Sequence, residues 1–258
     1  MVMYNFRDFL SKLRHHFRFS KEEIEACVIS VLVMAFIISF DEWGYGNAFD
    51  FNIGLMNLFR AIIIVSIVLG VQISVIKLQS LQWGYRAEFK LWWYGIIIGL
   101  GLCFLSASFS NSLGGVSILW FLAPGGIFFH HLATHRLGWF RYGLNIMETS
   151  VACQMGVLST MGVAIVFKLL LYAFPGSLFL EKGMIVALWF AVFSILPIPP
   201  LHGSKLFFWS RGTYATLLGG VIAFNFLLRT DLSIFLTLLF SFLFGIIISI
   251  LNFWKVES

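Results

Sequence analysis

Apolar residues run along this chain in long blocks, at roughly 24–40, 53–76, 91–109, 115–129, 150–174, 182–197, 213–228 and 232–254, with short polar segments between them. A helix needs about 20 apolar residues to cross a hydrocarbon core of about 30 Å. The longer blocks therefore predict complete spans and the shorter ones half-spans. The pattern predicts an all-α polytopic membrane protein with a transmembrane core of six to eight spans or half-spans. Composition agrees: 60% of the 258 residues are hydrophobic, 11% are charged and 30 are phenylalanine, a balance that excludes a soluble domain of this size.

Charge gives the blocks a direction. Arg7, Lys12, Arg14, Arg18 and Lys21 precede the first block, and the segment after it, "DEWGYGNAFDFN", carries only acids. Lys77, Arg86 and Lys90 follow the second block, and Lys255 follows the last. Positive loops stay on the cytoplasmic side, so both termini are expected there. The net charge of +5 then reflects topology, and no nucleic-acid partner is expected. Asp41 and Glu42 stand where a signal peptide would need small residues, so the first block is expected to remain as a span. Cys27, Cys103 and Cys153 lie inside apolar blocks without C-x-x-C spacing. They read as buried thiols rather than as zinc ligands.

Residues 1–19 form a basic, aromatic segment that could lie on the membrane surface, and residues 20–258 form one transmembrane domain. Ser20 and Glu23 have the spacing of a capping box. Gly95, Gly99 and Gly101 offer a small-residue face for close helix packing. Lys168 lies near one end of its block, where its long side chain can reach the interface. No internal repeat of the kind found in many transporters is visible, which weakens a transporter reading.

The segment "SILPIPPLHGSKLFFW", residues 194–209, interrupts the apolar pattern with Pro197, Pro199, Pro200 and then His202. Irregular backbone is tolerated at membrane depth only where protein buries it or where it lines a wet cavity. His202 can therefore serve the carbonyls freed at the prolines or face a polar cavity. At this point the chain resembles the site-2 proteases, zinc metalloproteases that cut substrate helices within the membrane, and in particular their archaeal members. The likeness runs in order through "FSKEEIEACVISVLVMAFIISF", "KLQSLQWGYRAEFKLWWYG", "FLAPGGIFF", "MGVLST" and "LPIPPLHGSKLFFW". Members of that family usually read L-P-I-P-P-L-D-G-S-K in the last stretch, where the Asp is the third zinc ligand; here it is His202.

The resemblance also locates the family's H-E-x-x-H motif. Counting back from Gly84, Ala87, Glu88 and Phe89 sets it at residues 72–76, which read "QISVI". Gln72 and Ile76 stand at the two His positions and Ile73 at the Glu that would act as general base. Isoleucine has neither a lone pair nor an exchangeable proton, whereas Lys77 matches the family's basic residue. The substrate-holding A-G-P-x-x-N stretch corresponds to "MGVLST", with Gly156 retained, Val157 at the Pro and Thr160 at the Asn. Gly156, Thr160, Pro199 and Pro200 are thus the candidate groove residues.

A rival metal reading comes from "HHLATH", which spaces His131 and His135 as i, i+4. With His202 they could form a three-histidine site suited to zinc, copper or iron, with Glu148 the nearest acid in sequence. The preferred expectation is a catalytically inactive homologue, without a cofactor, that binds a transmembrane helix of another protein in the lipid bilayer. The alternative is an active zinc metalloprotease, or other metalloenzyme, using His131, His135 and His202.

Overall fold

A computed structural model describes residues 11, 13–45, 48–110, 120–132, 144–230 and 232–257. Helix α1 (Lys21–Ser39) leads through two short strands, β1 (Gly44–Tyr45) and β2 (Ala48–Phe49), into α2 (Phe51–Gln82). Strand β3 (Tyr85–Leu91), helix α3 (Trp93–Ser110) and strand β4 (Gly125–His131) follow. The rest is helical: α4 (Ile146–Ala173), α5 (Leu178–Ser194), α6 (His202–Trp209), α7 (Arg211–Leu227) and α8 (Ile234–Glu257). Among the described residues three helices, Phe51–Gln82, Ile146–Ala173 and Ile234–Trp254, are long and apolar enough to cross a membrane. The protein is thus a mainly helical chain of membrane type.

Local chemistry sets the helix starts. Ser20 Oγ accepts from Glu23 N at 3.2 Å, Asp50 Oδ1 accepts from Asn52 N at 2.9 Å, and Asn145 Oδ1 accepts from Met147 N at 3.0 Å. Each satisfies an amide that the first turn leaves without a partner. Half of the anticipated capping box is present. The Glu23 side chain does not turn back to Ser20 but reaches out to other elements. Its Oε2 accepts from Lys77 Nζ at 2.6 Å, and its Oε1 accepts from Phe89 N at 3.1 Å. Lys77 Nζ also donates to Arg18 O at 3.1 Å and lies 3.8 Å from the Phe19 ring centroid. The start of α1, the end of α2 and strand β3 are tied at one buried point.

The block at 115–129 is not a span in its described part. Residues 120–124 have no regular secondary structure, and 125–131 form β4, which pairs antiparallel with β3 from Tyr85↔His131 to Leu91↔Gly125. Sequence explains the departure from helix. Pro124 has no N–H to donate, and Gly125 and Gly126 have no side chains where backbone must approach closely. A Cβ on Gly125 would lie 2.5 Å from Lys90 O, and one on Gly126 would strike Pro200 O. Ala123 to Ile127 are buried, so this non-helical backbone is enclosed by protein, as a low-dielectric setting demands. The glycine face of α3 packs on the backbone of 121–123 and, at Gly99, also on helix α1, where a Cβ would lie 3.1 Å from Ile37 Cδ1. Gly95 faces Ala123 O, and a Cβ on Gly99 would lie 2.9 Å from Phe121 O, while Gly101 meets nothing within 4 Å.

The core sits where α2, α4 and α5 pack together, with Ile64, Val68, Ile76, Val157, Ala164, Val186 and Ala187 buried. Helices α7 and α8 pair beside it, with Gly245 of α8 against Thr216 O of α7. Lys168 Nζ donates to Thr230 O at 3.3 Å, so its ammonium is carried to the end of the bundle. Of the basic segment 1–19, residues 1–10 and 12 lie outside the described residues.

Candidate functional site

The side chains at 72 and 76 point from α2 toward α4. A Cβ on Gly156 would lie 2.5 Å from Ile76 Cγ1 and 3.5 Å from Gln72 Cγ. The missing side chain at Gly156 therefore leaves the space that Ile76 fills. Gln72 is buried, and its Nε2 donates to Ser194 Oγ at 3.0 Å. Ser194 Oγ in turn donates to Phe190 O at 2.7 Å. Ile73, also buried, reaches a groove between α1 and α2.

Ser194 ends α5, and the next residues carry the chain through the prolines to α6. The Pro199–Pro200 peptide is cis. Gly203 packs directly on Ile195 O, where no side chain would fit. Ser150 Oγ of α4 donates to Lys205 O at 2.8 Å, and Lys205 Nζ donates to Ile127 O of β4. Gln72, Ile76, Gly156, Ser194 and the start of α6 thus belong to one packed region.

His202 opens α6 and is 4% exposed. Neither Nδ1 nor Nε2 has a hydrogen-bond partner. It does not satisfy the carbonyls near the prolines; Ile198 O is instead taken by Leu201 N at 2.8 Å. Two orphaned nitrogens in a buried ring are costly, at about 1–3 kcal/mol each in a protein interior.

Zinc prefers His nitrogen, Cys thiolate or carboxylate, at least three from the protein. Of Gln72, Ile73, Ile76 and His202 only His202 supplies such a donor, and the space beside Ile76 is filled with hydrocarbon. This donor set does not fit a zinc ion. The rival histidines do not converge in the described part. His131 ends β4, five residues beyond the Gly126 contact with Pro200, or about 16 Å along a strand. Its exposed ring lies 5.1 Å from that of Tyr85. His135 lies outside the described residues. Among the described residues no group of three or more His, Cys, Asp or Glu side chains could hold a metal. Glu148 stands in the first turn of α4, where a carboxylate favours the helix start.

The groove candidates divide. Gly156 and Pro200 both make close packing contacts. Pro199 is exposed. Thr160 is buried, and its hydroxyl donates to Val157 O of its own helix at 2.7 Å, so it is committed within α4. Three contacts were not anticipated from sequence: Ser194 with Gln72, Glu23 with Lys77, and Lys205 with β4. A lysine inside an apolar stretch is the usable signal, because it requires a counter-ion.

Comparison with known proteins gives one further finding. The chain is 28% identical over 203 residues to a Methanocaldococcus jannaschii protein that is provisionally named a zinc metalloprotease. The match covers 77% of this chain and 90% of the relative. No protein-family model matches the chain, and no solved structure does so.

Proposed function

We propose that this protein is a site-2-protease-type homologue that has lost catalysis and acts by binding a transmembrane helix of another membrane protein. The observation that carries the reading is the filled position 76, with Ile76 packed into the space at Gly156 and Gln72 engaged with Ser194. A hydrolytic site needs a metal-bound water and a base at that place. Here hydrocarbon and an amide occupy it. The similarity to a relative named for zinc proteolysis supports the common scaffold and leaves the chemistry to this chain's own residues.

Helix binding draws support from an apolar groove of about 490 Å³ between α1 and α2. Ser66, Gly70 and Ser74 of α2 line it at four-residue spacing, the spacing that brings helix backbones together in a bilayer. The test uses full-length protein reconstituted with a helical membrane substrate and zinc. No cleavage is expected, and His202→Ala should change nothing. Zinc-dependent cleavage that His202→Ala abolishes would overturn the reading. A photo-crosslinker at Ser66 should in turn capture a transmembrane segment of a second membrane protein.

A further inference from the structure

A different cavity, of about 780 Å³, opens at the end of the bundle where α1 finishes and α2 and α5 begin. Its lining is ordered along the axis of α2. Asp41, just beyond α1, and Glu181, in the first turn of α5, stand at the helix ends. Arg60 stands nine residues into α2, about 14 Å along its axis. Met56 and Leu178 form an apolar lip and are 59% and 75% exposed. Arg60 is held over the cavity by Asn57, whose Oδ1 accepts from Arg60 Nη1 at 3.4 Å. Asn57 is itself fixed by donating from Nδ2 to Glu42 O at 3.0 Å.

Two of the charges lining the cavity cancel, because Lys182 Nζ lies 2.5 Å from Glu42 Oε2. Arg60, Asp41 and Glu181 form no ion pair among the described residues. Depth can also be read from the chain. Between Arg60 and Lys77 every residue of α2 is uncharged, and the two cations stand about 26 Å apart along the helix. That nearly matches the hydrocarbon thickness of a bilayer, so Arg60 marks the boundary between acyl chains and headgroups. From the boundary outward the cavity therefore offers a cation first and carboxylates second, and inward of it Ile63 and Ile67, on the same face of α2 as Arg60, are 38% and 41% exposed.

We propose that this cavity is a binding site for a zwitterionic phospholipid, with its phosphodiester on Arg60, its ammonium toward Asp41 and Glu181, and its chains running inward along Ile63 and Ile67. A phospholipid presents these groups in that vertical order, and a guanidinium matches two phosphate oxygens at once. An anionic lipid without an ammonium would satisfy Arg60 but leave the two carboxylates unpaired beside its negative charge. The site is separate from the region around Ile76 and does not depend on the proposed loss of catalysis.

The test is a titration of detergent-purified full-length protein with brominated phosphatidylethanolamine, read as quenching of Trp120, which lines the cavity. Trp120→Phe identifies its share of the signal. Saturable quenching is expected, about tenfold tighter than with brominated phosphatidylglycerol, as one charge-assisted contact implies. Arg60→Gln should weaken it about tenfold, Arg60→Lys should weaken it less, and the Asp41→Asn, Glu181→Gln pair should erase the preference between the two lipids. Inorganic phosphate should not displace the lipid. Equal binding to wild type and Arg60→Gln, equal binding of the two lipids to wild type, or displacement by phosphate alone would each overturn the proposal. Arg60 and Asp41 are exposed, and unchanged circular dichroism of each variant confirms that the comparison is between folded proteins.

Discussion

The contact between Ile76 and Gly156 can be tested by a double-mutant cycle. Ile76 is fully buried, and truncating such a side chain to Ala costs about 2–5 kcal/mol. A methyl at 156 would lie 2.5 Å from Ile76 Cγ1, where carbon atoms prefer about 3.5–4.0 Å. Overpacking of that kind costs about 1–3 kcal/mol, partly offset by the higher helix propensity of Ala, worth about 1 kcal/mol. In the double variant the new methyl enters the space that Ile76 vacated. The pair should then be less destabilised than the sum of the singles, by about 1–3 kcal/mol. Equilibrium unfolding of the four proteins in mixed micelles reads this directly. Additivity within about 0.5 kcal/mol would mean that Ile76 does not fill the space at Gly156. The reasoning that hydrocarbon has taken a catalytic position would fail with it.

Three other outcomes follow from the same structure. Lys77→Met should destabilise by about 3–5 kcal/mol, because it leaves Glu23 buried without its cation; adding Glu23→Gln should recover much of that loss in the same unfolding assay. His202→Leu removes two buried nitrogens that have no partner and should stabilise by about 1–3 kcal/mol, so a lower unfolding midpoint would show that the imidazole is held by something in the folded protein. Gly70→Leu meets no atom of its own chain within 4 Å of the new Cβ; it should leave folding unchanged while abolishing crosslinks to a partner helix from Ser66.

Block length and hydropathy were sufficient to locate α1, α2, α3, α4, α5, α7 and α8, because each contains a continuous apolar run, although α2 continues past its block at residue 76 to Gln82. They failed at 115–129, where hydropathy cannot tell a helix from an enclosed strand. The local signals were nonetheless there, in the Pro-Gly-Gly of 124–126 and in "YRAEFKL", where apolar and charged residues alternate with the period of a strand. At the candidate site the chemical identities of Gln72, Ile73, Ile76 and His202 were legible, whereas Gly156 was read as a groove residue and its space is filled by Ile76. The partners of those side chains were not legible. Ser194 lies 122 residues from Gln72, and no local pattern marks a serine at a helix end as the recipient of a distant amide. The misreading of Glu23 has the same origin. Its spacing from Ser20 suits a cap, and only the approach of Lys77 and Phe89 shows where its side chain goes.

That carboxylate also has a history within each molecule. Lys77 follows Glu23 by 54 residues and Phe89 follows it by 66. At a synthesis rate of about 5–20 residues per second, both partners emerge only after roughly 3–13 s. During that interval Glu23 lacks both partners, and a carboxylate in that position either keeps its water or takes up a proton. The burial of the start of the first helix is therefore completed only from the far end of the second helix and the strand that follows.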